Sequence, residues 1–461
     1  MSSRSPAPAD SVRPRPPGVD VFRPAHKVGN PTLQVVALLL AVGLTVPGLV
    51  LRLGEIHPDP VWIAAVFYGL AVVGAAFVLA WAAEVIQLDV SAGLALALLA
   101  LIAVLPEYAV DFVFTAKAGT NPEKYAPLAL ANMTGGNRLL IGIGWSMVVL
   151  LAAWRIKRIA KKRGYTGEVD TEVRLDRPHA VEIAFLAAAS AYCLTLGLDR
   201  DLSLADTLVL VTLFIAYLVR IMKAPAGQPH LVGPAALIGT LPTVPRRIVV
   251  GLMFAFAAGV ILAAAEPFAE SLVHTGENFG VSTFVLVQWL APLASEAPEL
   301  LIAGLFAWRL NTNGALGALV SSKVNQWTLL VGTLPIVYAI TSKSLHGLPL
   351  DTLQKEELFL TAAQSVFAVS VLANRRLSVK EAYLLLGLFL SQFVLGGVLP
   401  ENLKALERMG IGCLYLGLAA WYLFRQRDPM RGILRDGFST PIDELMGEET
   451  SQRSEPLEVE P

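Results

Sequence analysis

Long apolar runs separated by short polar loops dominate the chain from residue 33 to residue 425. A helix needs about 20 apolar residues to cross a bilayer. On that measure the runs predict twelve membrane-spanning helices: 33–53, 61–86, 91–118, 126–154, 180–197, 203–222, 247–274, 281–308, 314–341, 357–374, 381–399 and 408–425. Only Gln87-Leu88-Asp89-Val90 separates the second run from the third, which predicts a tight hairpin. Loop charge is an independent test, because Lys and Arg collect on the cytoplasmic side. With the N-terminal tail inside, basic residues fall in alternate loops: Arg155, Lys157, Arg158 and Lys161–Arg163, then Arg246-Arg247, Arg309, Arg375-Arg376 with Lys380, and Arg425 with Arg427. The intervening loops 54–60, 119–125, 198–202, 275–280, 342–356 and 400–407 hold no basic cluster. The alternation predicts an even number of spans, both termini cytoplasmic, in the plasma (inner) membrane.

Polar positions inside these apolar runs are the informative ones. Leu105-Pro106-Glu107 interrupts the third run and Ala297-Pro298-Glu299 the eighth. The run after each carries a polar break: Thr134-Gly-Gly-Asn137-Arg138, with Gly144 beyond it, and Ser322-Lys-Val-Asn325-Gln326, with Gly332 at the same spacing. A carboxylate in hydrocarbon is expensive and marks a binding site or a water-filled path. Proline frees a backbone carbonyl by withholding its N–H. Carboxylates beside freed carbonyls offer the oxygen ligands that hard cations and protons require. Two such units, each with a preceding helix and two following ones, make five-helix repeats. Five is odd, so the second copy is inverted, and inverted repeats place a site near the bilayer midplane. The preceding helices match as well: Leu79 to Glu84 resembles Leu262 to Glu266, or alternatively Phe268-Ala-Glu270.

The fold class that follows is an all-α polytopic membrane protein of about twelve helices, with two inverted five-helix repeats and one extra helix at each end. Its divisions are a disordered tail at 1–32, an extra helix at 33–60, the first repeat at 61–222, a linker at 223–246, the second repeat at 247–400, a last helix at 401–426 and a polar tail at 427–461. The final segment reads as solvated, with at most a short amphipathic helix from Ile433 to Met446.

Composition agrees: 55% of residues are hydrophobic and 16% charged, and the mean hydropathy is +0.59. Soluble chains carry about 25% charged residues. A net charge of −1 gives no electrostatic case for nucleic acid. Cys193 and Cys413 both lie in apolar runs, where a thiol behaves as a small hydrophobe. The six histidines show no zinc-like spacing with them. No loop is long enough for a folded enzyme domain. The chain also lacks His-Glu-x-x-His and the other intramembrane protease signatures, so an enzyme is not expected.

Duplicated Pro-Glu breaks, each followed by an Asn- and Gly-bearing apolar helix, resemble the calcium/cation antiporter superfamily (the sodium/calcium exchanger membrane region) over about residues 61–400. The family's repeats read Gly-Thr-Ser-x-Pro-Glu and then Gly-Asn-x-x-Gly-Ser-Asn-x-x-Asn/Asp. Here Ile102-Ala103-Val104 and Ala294-Ser295-Glu296 stand before Pro-Glu. In one register the family's Ser matches Thr134 and Ser322, and its last Asn/Asp falls on Arg138 and Gln326; shifted by two, Asn132 and Asn137 match its asparagines. The resemblance implies a secondary antiporter working by alternating access, moving Na+ or Ca2+ against H+ or Na+, without a resident cofactor.

The candidate site is centred on Glu107 and Glu299, the two carboxylates expected to hold a metal ion, with Glu296 and Asp111 beside them. Glu107 and Asp111 are spaced i, i+4, and Glu296 and Glu299 i, i+3, so each pair shares a helix face. Asn137, Asn325, Thr134, Ser322, Gln326 and Ser295 are candidate ligands, with Asn132 nearby. Asparagines also bridge helices, and hydroxyls also bond back to their own helix. Arg138 and Lys323 are expected as fixed cations beside the carboxylates. At 4 Å two unit charges interact by about 4 kcal/mol at an effective dielectric near 20. Such neighbours oppose a divalent ion and favour a monovalent ion or proton on one limb. Alternatively both snorkel to an interface. A different class of function, a non-transporting scaffold or sensor, would place Glu107 or Glu299 in a salt bridge with Arg138 or Lys323. The oligomeric state is open.

Overall fold

The computed structural model describes residues 17–18, 30–89, 105–223, 231, 233–280 and 282–445. The first part of the expected third span, most of the N-terminal tail and the end of the C-terminal tail lie outside them. The described residues are mostly helical: α1 Pro31–Leu53, α2 Trp62–Ile86, α3 Leu105–Ala118, α4 Pro122–Lys162, α5 Ala180–Leu196, α6 Leu204–Ile221, a short α7 Pro234–Gly239, α8 Thr243–Phe279, α9 Thr283–Trp308, α10 312–342, α11 Thr352–Val371, α12 Val379–Val398, α13 Glu401–Arg425 and α14 Arg427–Phe438. Each of the twelve expected spans overlaps one of these helices, the third only over its described part, Leu105–Ala118. Nine helices among the described residues are long and apolar enough to cross a membrane. Neither α10 nor α13 is among the nine: Ser321 to Gln326 makes the centre of α10 polar, and Glu401, Lys404, Glu407 and Arg408 charge the first turns of α13.

Boundaries shift where capping overrules hydropathy. The tenth expected span begins at Thr352, not at 357, because Asp351 and Gln354 close a capping box. Ser203 with Asp206 and Ser378 with Glu381 do the same for α6 and α12. Each satisfies backbone donors that would otherwise be orphaned at a helix start.

The following polar contacts join loops expected on the same side. Val173–Arg174 (β1) pairs with Arg376–Leu377 (β4), joining two loops expected inside. Asp201–Leu202 (β2) pairs with Leu348–Pro349 (β3), joining two expected outside. Asp89 takes Arg246 (2.8 Å) and Arg247 (3.1 Å), from two loops both expected inside. Lys124 meets Glu277 at 3.0 Å, from two loops both expected outside. None of these contacts crosses the apolar layer.

Helices of one half pack against helices of the other. The α2 helix packs along α8, and α9 packs along α4. A Cβ on Gly135 would lie 1.7 Å from the Gln288 carbonyl oxygen, so only glycine lets α9 run this close to α4. Near this crossing each Asn-bearing helix carries a π-turn, at Leu140–Trp145 in α4 and Gln326–Leu330 in α10. Such turns interrupt the regular ladder and recur at functional sites.

The solvated tail expected after residue 426 needs correction. The amphipathic helix is α14, earlier than Ile433 to Met446, and it is docked. Ile433 and Leu445 are buried, and Phe438 meets Phe185 edge-on at 5.0 Å. Arg177 grips Asp436 at 2.8 and 3.2 Å, and Arg220 donates to the carbonyls of Asp436, Gly437 and Thr440. An alternation of apolar and charged residues reads as solvated until partners on other loops are in place.

Candidate functional site

Four helices, two from each repeat, bring the candidate side chains together. Glu107 starts the described part of α3, and Glu296 and Glu299 sit on the Pro292- and Pro298-bearing stretch of α9. Between them passes α4 at Gly135-Gly136. A Cβ on Gly136 would lie 2.8 Å from Glu107 Oε1 and 2.8 Å from Glu296 Oε1. The two oxygens, one from each repeat, thus crowd one backbone point. Both side chains are buried, and Asp111, a turn beyond Glu107, is wholly so.

Neutral donors meet part of this charge. Gln326 Nε2 donates to Glu296 Oε1 at 2.9 Å, Ser322 Oγ to Glu299 Oε2 at 2.7 Å, and Asn132 Nδ2 to Asp111 Oδ1 at 2.7 Å. The Gln326 and Ser322 bonds tie α10 to α9, and the Asn132 bond ties α4 to α3. Other oxygens are left over: Glu107 Oε1, Glu296 Oε2 and Asp111 Oδ2 are buried and accept no hydrogen bond from the described residues. Buried carboxylate oxygens without donors are costly. Such oxygens are open to a proton or a cation. Asn325 is buried one turn from Ser322. Thr134 turns its hydroxyl to Leu130 O at 2.7 Å, and Ser295 turns its own to Ala291 O and Pro292 O at 3.3 Å each. Both therefore point their hydrogens along their own helices. Among the described residues no group of three or more His, Cys, Asp or Glu is arranged to hold a metal ion.

The expected place of the two basic residues changes most. Neither snorkels: both are fully buried. Arg138 belongs to Glu357 of α11, at 2.6 Å, with its guanidinium 5.1 Å from the Trp289 ring centre. Gln288 Nε2 holds the same Glu357 oxygen at 2.9 Å. Lys323 Nζ reaches across to the first repeat and donates to Asn137 O at 3.0 Å and Asn137 Oδ1 at 2.6 Å. Among the described residues neither Glu107 nor Glu299 forms an ion pair with either base, the arrangement that a scaffold reading requires. Glu357 and Gln288 are the residues that sequence reasoning missed. Glu357 lies at the edge of an expected span, where a carboxylate reads as an interfacial residue. The Glu84 match also separates: Glu84 is buried in α2, while Glu266 and Glu270 are exposed and face Lys117.

The model of the sodium/calcium exchanger protein family matches residues 60–223 and 249–395. The chain belongs to the sodium/calcium exchanger family. Among solved structures it is similar to the H+/Ca2+ exchanger CAX, at 40% identity over 90% of this chain and 99% of that one, with a TM-score of 0.80. It shares its fold with the selenium-substituted Ca2+/H+ antiporter YfkE, at 13% identity over 82% and 99% of the two chains, with a TM-score of 0.57. No curated protein matches it in sequence. Two inverted five-helix repeats with an extra helix at each end therefore describe an exchanger-family transporter embedded in a membrane as a multi-pass protein.

Proposed function

We propose that this exchanger-family chain carries out antiport of a cation, Ca2+ foremost, against protons, with both reactants competing for one set of carboxylates. The observation that carries the reading is the convergence of Glu107 and Glu296 on Gly136, without a basic residue paired to either. Several buried carboxylates cannot all stay ionised and unpaired in a low-dielectric interior. Two neutralised states are open to them: protonated, or ionised around a cation. Exchange follows from the exclusion of one state by the other, since binding the cation releases the protons and the reverse. Alternating access then requires only that the inverted repeats open this site to one side or the other in either neutralised state. Glu299, Asp111, Gln326, Ser322 and Asn325 complete the oxygen-rich surround, with Glu107 and Glu299 as the principal carboxylates of the two Pro-Glu breaks; both Asn137 oxygens are taken by Lys323. The similarity to the H+/Ca2+ exchanger CAX supports this choice of ions. Arg138, neutralised by Glu357, does not repel a divalent ion as a free guanidinium would. This reading makes the chain a transporter, not an enzyme, in the plasma (inner) membrane with both ends cytoplasmic.

The test uses purified protein in vesicles with an imposed pH gradient, an internal calcium indicator and a pH dye. The expected result is calcium movement driven by the proton gradient, with opposite proton flux, and no flux in Glu107→Gln or Glu299→Gln. Calcium movement driven by a sodium gradient and indifferent to pH would replace protons by sodium. Flux unchanged in both variants would refute the site.

A further inference from the structure

Resting on that reading, we propose that Lys323 is a built-in cation: its ammonium fills an oxygen subsite of the first repeat that would otherwise bind a monovalent ion. Asn137 presents both its main-chain and its side-chain oxygen to Lys323 Nζ, at 3.0 and 2.6 Å. Those distances suit an ammonium, and the same convergence of carbonyl and amide oxygens suits a small dehydrated cation. The ammonium also lies over the Trp327 ring, 4.6 Å from its centre, a surface that attracts cations. The residue is fully buried, so its charge is not shared with water. Asn137 itself is held in place by Nδ2 donating to Met133 O at 2.8 Å, which leaves its amide oxygen aimed at the subsite. Lys323 comes from α10 of one repeat and its ligands from α4 of the other, so the tethered charge spans the interface that must rearrange during transport. In consequence a tethered ammonium stands near the carboxylates, and a monovalent ion finds no vacant place at the Asn137 oxygens.

Truncating the lysine removes four heavy atoms and exposes both Asn137 oxygens, with room for water to complete a coordination shell. Full-length wild type, Lys323→Ala and Lys323→Ala with Asn137→Ala are compared by thermal unfolding in detergent, in NaCl and in choline chloride of equal ionic strength. The expected result is no sodium-specific shift for wild type, a saturable upward shift for Lys323→Ala, and loss of that shift in the double variant. A Lys323→Ala protein that folds only in sodium also supports the proposal. A folded Lys323→Ala protein indifferent to sodium overturns it. So does failure to fold in either salt, which makes Lys323 a structural pin. Because the readout is binding and not flux, it stands apart from the proton-coupling test above.

Discussion

The pairing of Arg138 with Glu357 can be isolated by a double-mutant cycle. Arg138→Met removes a guanidinium that is fully buried and 2.6 Å from its partner. Breaking a buried pair from one side costs about 3–5 kcal/mol, because the remaining charge is left uncompensated. Glu357 keeps the Gln288 amide at 2.9 Å and Arg408 at 4.0 Å, which places Arg138→Met near the lower figure. Glu357→Gln leaves Arg138 with the Trp289 face and the Thr134 carbonyl at 3.4 Å, neither of them an anion, which places it near the upper one. Replacing both removes two buried charges together, a change that is often close to neutral. Single losses near 3 and 5 kcal/mol sum to about 8, so the double variant should be more stable than that sum by at least about 3 kcal/mol, the upper end of usual pair couplings and roughly 150-fold in the unfolding constant. Denaturant titration of the four proteins in micelles, followed by tryptophan fluorescence, measures it. Losses that add to within about 0.5 kcal/mol would show that the two groups are not coupled. Rescue of Arg138→Met by Glu107→Gln in place of Glu357→Gln would return Arg138 to the cation site.

Neighbouring glycines should separate structure from transport: Gly135→Ala, 1.7 Å from a backbone oxygen of α9, should cost about 3 kcal/mol in unfolding experiments. Gly136→Ala meets only movable carboxylate ends at 2.8 Å, so it should fold and lose calcium flux. Ser322→Ala deletes a hydrogen bond to Glu299 worth about 1.5 kcal/mol and should raise the half-saturating calcium concentration about tenfold. Outside the membrane-spanning helices the Arg177 guanidinium holds the Asp436 carboxyl below its usual range. A lowered folded-state pKa stabilises at pH above the ordinary value near 3.9 and is lost as pH falls through the lower one. Docking of α14 should therefore withstand mild acid and loosen only below about pH 4, read as protease cleavage after Arg435, and Asp436→Asn should abolish that dependence.

The sequence by itself determined the membrane-spanning architecture, because hydrocarbon admits so few kinds of segment. Twenty apolar residues must be a helix, basic loops must alternate, and a carboxylate placed twice inside such helices must serve a purpose. Those constraints are local, so they were visible in Pro106-Glu107 and Pro298-Glu299 before any coordinates. Partners were not visible. Whether Arg138 and Lys323 oppose the cation depended on which oxygen each one meets, and those oxygens lie far away in the chain, on Glu357 and Asn137. Glu357 carried no signal because a carboxylate at a helix edge is ordinary until the helix is packed against α4. The docked α14 was hidden for the same reason: its anchors are Arg177 and Arg220, on two separate loops and helices. Hydropathy acts along the chain and fixes which segments lie in the bilayer. Charge compensation acts through space, so only the tertiary structure decided which of the buried charges remain free to bind.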